Sequence, residues 1–193
     1  DHQGRLGNTV AEIARTKAGI IKPGASVVSA AQLPDAAAEI EAAARRADAK
    51  LYVESNDFAV TADHMAVGGR LISVRGLTGQ YDDLPLAIAG DYQAHNAALA
   101  IASVEAFFGG ERELLAENVE AGIAEALSPG RLELVGASPA VIIDAAHNPH
   151  GARALVSALE DSFDFDEWGN AIGTVAVVLD TTSVRHPTEV PTV

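Results

Sequence analysis

The run Asp144-Ala145-Ala146-His147-Asn148-Pro149-His150-Gly151 packs an acid, two imidazoles and an amide into one short stretch. It follows the apolar Val141-Ile142-Ile143, which reads as a strand delivering Asp144 at its carboxyl end. Pro149 then opens a helix, with Asn148 as N-cap. In open α/β sheets ligands bind in that crevice, and a helix N-terminus favours anions. Asp144 suits a pair of ribose hydroxyls and His147 a phosphate or a base. The plainer alternative is that Asp144 and Asn148 only cap the turn and the helix. Lys17 is a second anomaly. Val10, Ile13, Ala14 and Lys17 recur at i, i+3, i+4 and i+7, so the spacing puts an ammonium on the stripe expected to be buried. Either the lysine complements the helix dipole from the last turn and snorkels outward, or it is held in a site. There it would be a phosphate contact or a modified side chain.

Three weaker features accompany these. Gln93-x-x-Asn96 shares a helix face with Ala97 and Ala100, which predicts an amide on the core side, either satisfied there or reading adenine. Pro129-Gly130-Arg131-Leu132-Glu133 places an arginine at a break in the chain, from which it could swing onto a phosphate. Asp1-His2 suits a hard divalent cation, or is a loop histidine. GxxxxGK[ST], GxSxG and HExxH patterns are absent from these residues. Spacing alone points to a nucleotide-binding α/β protein.

The elements that must position these groups follow from the punctuation. Thr9 and Glu12 form a capping box that opens a helix from Val10 to Ala18, with Gly19 as its stop. A strand over Ala25 to Ser29, a helix over Pro34 to Asp48 and a strand over Lys50 to Val53 give a β-α-β rhythm. Short runs at Asp57 to Val60, His64 to Val67, Arg70 to Arg75 and Leu84 to Ala89 predict a small antiparallel meander. Gly68-Gly69 is one of its turns, and a polar loop spans Arg75 to Leu84. Helices are expected over Asp91 to Phe108 and Arg112 to Ala126. After them come a hairpin of Arg131 to Val135 with Ala140 to Asp144, a helix over Pro149 to Leu159 and a strand over Gly173 to Leu179. The Pro129-Gly130 break is the expected domain boundary, dividing residues 1–128 from 129–193.

Composition narrows the partners. Thirteen Lys+Arg against 27 Asp+Glu give a formal charge of −14, which removes the attraction that drives binding to nucleic acid or to an anionic membrane. With 48% hydrophobic and 21% charged residues the chain reads as globular. Zero cysteines exclude disulfides, thiolate zinc sites and cysteine nucleophiles. No apolar run approaches the length of a membrane span and no signal pattern opens the chain, so a cytoplasmic protein is expected. The opening on Asp1 within a polar loop suggests a piece of something longer.

Taken together, the motifs resemble the folylpolyglutamate synthase/dihydrofolate synthase family of the Mur ligase superfamily. The matching blocks are Asp1-His2; Leu6-Gly7-Asn8-Thr9 with Glu12-Ile13-Ala14-x-x-Lys17-Ala18-Gly19-Ile20-Ile21-Lys22-Pro23-Gly24; Gly90-Asp91-Tyr92-Gln93-x-x-Asn96-Ala97-Ala98-x-Ala100; Pro129 to Glu133; and Asp144 to His150. The likeness covers roughly residues 1–179. It implies an α/β fold: the C-terminal part of a P-loop-type Mur ligase ATPase domain, carrying the antiparallel meander, and then the start of a Rossmann-like domain. It also implies an ATP-dependent ligase. ATP would phosphorylate a carboxylate of dihydropteroate or a tetrahydrofolate, and the amine of L-glutamate would attack the acyl phosphate. By resemblance, His2 is a ligand of Mg2+, Lys17 the lysine that becomes carbamylated, and Asn96 the adenine-side contact. Arg131 is the linker arginine on the phosphates, Asp144 and His147 are nucleotide contacts, and Gln93 is a further nucleotide-side residue. A monomer is implied.

The family's P-loop and the glutamate sharing magnesium with His2 would lie upstream of Asp1. This 193-residue chain is therefore expected not to catalyse ligation alone. Two rivals stand beside this reading: another Mur-type ligase acting on cell-wall precursors, and a degenerate, non-catalytic nucleotide-binding module.

Overall fold

The computed structural model describes residues 6–66, 68–137, 140–146, 149–162 and 175–179. The chain folds as two compact units, one of Asp1–Ala87 with Gln93–Glu125 and one of Ile88–Tyr92 with Ala126–Val193.

The first unit begins with α1, Val10–Lys17. Half of the predicted capping box forms, Thr9 Oγ1 accepting from the Glu12 amide at 3.2 Å, while Glu12 Oε2 accepts from the Asn8 amide at 2.7 Å, one residue before the cap. The α-helix ends at Lys17 with Ala18 as its C-cap, as expected just before Gly19. A single 3-10 turn, Ala18–Ile20, carries the chain through it. A β-α-β unit follows, with β1 (Ser26–Ser29) parallel to β2 (Lys50–Val53) and α2 (Pro34–Arg46) as the crossover. Alanines 36, 43 and 44 are the buried face of α2, small enough for close packing against its neighbours.

The meander is a three-stranded antiparallel sheet, β3 (Ala59–Ala66), β4 (Gly69–Arg75) and β5 (Gln80–Leu86), in that order. Two expectations fail here. The separate runs ending at Val60 and starting at His64 are one strand, continued through an irregularity between Val60 and Ala62. Asp63 does not break it, because its carboxylate takes a 2.7 Å bond from Arg70 on β4. Half of the polar loop expected between Arg75 and Leu84 is also strand: β5 starts at Gln80 and ends at Leu86, short of Ala89. Its Gln80, Asp82 and Asp83 are exposed, and as an edge strand it tolerates Pro85, which has no amide hydrogen to donate. Ile72, Val74, Tyr81, Leu84 and Leu86 point inward and are buried. Each such aliphatic side chain contributes ~1.5–3 kcal/mol relative to exposure.

α3 (Tyr92–Phe107) buries residues 93, 94, 97, 98, 101, 102, 105 and 106, a stripe that steps by four and is mostly alanine. α4 is Ala116–Ala124, shorter than the expected Arg112–Ala126, its N-cap Leu115 being extended and supplying no side-chain cap. It packs on β5.

In the second unit β6 (Glu133–Ala137) runs antiparallel to β7 (Ala140–Asp144), and β7 runs parallel to β8 (Val175–Leu179). α5 (Pro149–Ser162) starts at the expected proline. Its Leu155 and Ala158 close a small core with Leu132, Ile142 and Ala146, against which Ala89, Tyr92 and Leu159 pack.

Candidate functional site

In the first unit Lys17 ends α1 and is exposed. The stripe Val10, Ile13, Ala14 and Lys17 does not face a closed core, as its spacing predicted. It lines an open cavity of about 520 Å3, shared with Val27, Val28 and Ile40. Among the described residues lining that cavity Lys17 is the one charged side chain. The ammonium therefore keeps its water while its stem lies along apolar surface.

Gln93 is buried as expected, but Asn96 is exposed, so only one of the two amides faces the core. The reason is angular: the buried stripe on α3 takes 93, 94, 97 and 98, and position 96 falls outside it. The pair stay linked, Asn96 Nδ2 donating to Gln93 Oε1 at 3.0 Å, which fixes the exposed amide's orientation.

Sequence reasoning missed a neighbouring pair. Glu54, just past the carboxyl end of β2, is buried and lies 2.5 Å from Nδ1 of His95 on α3. Its other oxygen accepts from the Ala31 amide at 3.3 Å. The parallel β1–β2 arrangement was the signal available, because it brings the loops after both strands together.

In the second unit Arg131 is exposed and Asp144 is 4% exposed. Both oxygens of Asp144 accept backbone amides, Oδ2 from Leu132 at 2.8 Å and Oδ1 from Ala146 at 2.7 Å. A buried carboxylate is tolerated because such charge-assisted bonds replace its hydration. Tyr92 packs on the same core, and burial together with the Asp144 charge pushes its phenol above the usual range, opposed by Arg131. Gly90 permits this placement: its φ is +102° and a Cβ there would lie 2.7 Å from the Tyr92 ring.

His2 and His147 lie outside the described residues, as do Asp1 and Asn148. Among the described residues no three acidic or histidine side chains gather as a metal site, and no helix is long and apolar enough to cross a membrane.

No family model matches the chain. It is 46% identical over 173 residues to the dihydrofolate synthase/folylpolyglutamate synthase of Mycobacterium tuberculosis, covering 86% of this chain and 36% of that protein. Among solved structures, Mycobacterium tuberculosis folylpolyglutamate synthase complexed with ADP and AMPPCP superposes with a TM-score of 0.81 at 46% identity, over 86% of this chain and 38% of that one. A folylpolyglutamate synthase complex with AMPPCP and folate gives a TM-score of 0.80 at 36% identity, over 86% and 40%. The chain thus spans little more than a third of the length of curated relatives such as this one.

Proposed function

Because this chain is, over most of its length, a relative of the dihydrofolate synthase/folylpolyglutamate synthases, with their mixed α/β Mur ligase fold, we propose that the protein it represents is an ATP-dependent ligase. It would join L-glutamate to dihydropteroate, to a tetrahydrofolate, or to both. The γ-phosphoryl group of ATP passes to a substrate carboxylate, giving an acyl phosphate and ADP. The glutamate amine then attacks the acyl carbon, an amide forms, and phosphate leaves. The observation that carries the reading is kinship combined with an exposed Lys17 on the cavity wall, where the resemblance asks for a functional lysine.

In this reading Lys17 reacts with CO2 to become a carbamate, exchanging a cation for an anion. Arg131 meets the phosphates from its exposed turn. Asn96, its amide held by buried Gln93, reads the adenine side, and Asp144 and His147 belong to the nucleotide side of the second unit. Mg2+, with His2 as a ligand, would neutralise phosphate charge. His2 itself lies outside the described residues. The protein is read as a cytoplasmic monomer.

The test is phosphate release by the complete enzyme with ATP, magnesium, L-glutamate and either dihydropteroate or a tetrahydrofolate. Release that needs both co-substrates and collapses in Lys17→Ala supports the reading. Release with a cell-wall precursor instead moves the protein to a sister ligase. Absence of release with any acceptor leaves a nucleotide-binding module. The 193-residue chain alone, about a third of a relative's length, is expected to be inactive in the same assay.

A further inference from the structure

We propose that Asp144 is a positioning residue for Arg131, its buried carboxylate locking the left-handed turn that presents the guanidinium outward. The inference deepens the ligase reading and rests on it for the identity of the ligand, a nucleotide phosphate.

Arg131 sits between two left-handed residues, Gly130 at φ +69° and Leu132 at φ +49°. Glycine takes that conformation freely. A leucine does so only where its surroundings hold it. Two things hold Leu132: its side chain is 5% exposed within the second unit's core, and its amide is fixed by Asp144 Oδ2. The same carboxylate uses Oδ1 to shape its own turn through the Ala146 amide. That turn returns the tie, since the Ala145 amide donates to Gly130 O at 2.8 Å. Across the base, Arg131 N donates to Ser128 O at 3.0 Å and Gly130 N to Glu133 Oε2 at 2.7 Å.

Every backbone position flanking Arg131 is thus anchored, while its side chain stays exposed. With Leu132 driven inward, the neighbouring side chain is turned away from the core. A phosphate contact gains from this, because an arginine on a fixed backbone loses less freedom when it binds. Asp144 need not touch the nucleotide to matter for it. An asparagine in its place would accept from one amide and set its own N–H2 against the other, so one of the two ties is lost.

The test is a double-mutant cycle in the complete enzyme, read on the dissociation constant for AMPPCP. Arg131→Ala is expected to weaken binding about 50-fold and Asp144→Asn about tenfold. In the Arg131→Ala background Asp144→Asn should change binding by less than about twofold, since its effect passes through the missing side chain. The melting temperature should fall equally in both backgrounds, which separates positioning from general destabilisation. A full tenfold loss in the Arg131→Ala background overturns the proposal, showing that Asp144 acts by its own contact or through stability. Unchanged binding in Arg131→Ala also overturns it. Failure of the ligase reading appears elsewhere, as wild-type enzyme that binds AMPPCP yet releases no phosphate with any acceptor.

Discussion

The Tyr81 hydroxyl donates a 2.9 Å hydrogen bond to Glu105 Oε1 where both side chains are almost completely buried, at 1% and 0% exposure. Glu105 also accepts from the amides of Leu77 at 2.5 Å, Thr78 at 3.3 Å and Gly79 at 3.1 Å, and from Thr78 Oγ1 at 2.8 Å. One carboxylate on α3 therefore organises the whole β4–β5 loop. Removing it strands several buried donors. Glu105→Ala is expected to cost about 3–5 kcal/mol, and Glu105→Gln, which keeps one acceptor, about 1–3 kcal/mol. Urea denaturation followed by circular dichroism measures both.

Tyr81 gives the same cluster a pH signature. Burial and the hydrogen bond to Glu105 push its phenol up to about 12, against an ordinary 10.0. The folded state holds the proton more tightly than the unfolded chain, so stability is fully present below pH ~10. It declines as pH rises from there through the folded value near 12, because only the unfolded tyrosine ionises in that window. Tyr81→Phe should lose stability at neutral pH, by about 1–2 kcal/mol, and flatten this alkaline decline. Chemical melts at stepped alkaline pH would show whether the slope belongs to Tyr81.

Gly76 is the tightest approach to the cluster. A Cβ there would stand 2.4 Å from Glu105 Oε2, so Gly76→Ala must displace the carboxylate or the loop, at about 1–3 kcal/mol. In a Glu105→Ala background the clash disappears. The two costs should then sum to less than their separate values, and a stability cycle by thermal melting reads the difference.

Local punctuation made much of this architecture legible. Thr9 with Glu12, the Pro34 helix start and Gly68, left-handed at φ +84° between β3 and β4, each name a hydrogen-bond or dihedral requirement that the chain meets nearby, although Gly69, expected in the same turn, already belongs to β4. The first half of β5, residues 80–83, was hidden because an edge strand can be polar: Gln80, Asp82 and Asp83 are exposed, and only Tyr81 betrays a buried side ahead of the expected Leu84 run. Glu105 was hidden because one acid on an alanine-rich helix looks like a solvated residue until the donors of residues 77–79 are placed against it. The same limit applies to the site. Residue types and spacing singled out Lys17, Arg131 and Asp144. Yet the exposure of Lys17 and the commitment of both Asp144 oxygens to backbone depend on contacts that periodicity does not encode.

Lys17 permits a prediction that separates its two possible chemistries. It is exposed at the end of α1, so replacing it should leave stability within about 0.5 kcal/mol. Activity of the complete enzyme should nevertheless fall by about 100-fold or more in Lys17→Ala. Lys17→Arg then decides between roles. A cationic phosphate contact would be partly kept by the guanidinium, leaving activity well above the alanine variant. A carbamate needs a nucleophilic amine that loses a proton on meeting CO2, and a guanidinium remains protonated throughout this range. If the lysine works as a carbamate, the arginine variant should be as inactive as alanine. The wild-type enzyme should also lose activity when bicarbonate and CO2 are stripped, and recover when they return. Intact-protein mass spectrometry at mildly alkaline pH should show the added CO2 in wild type and not in Lys17→Arg. Arginine-supported activity with no CO2 dependence would instead assign Lys17 as a simple phosphate contact.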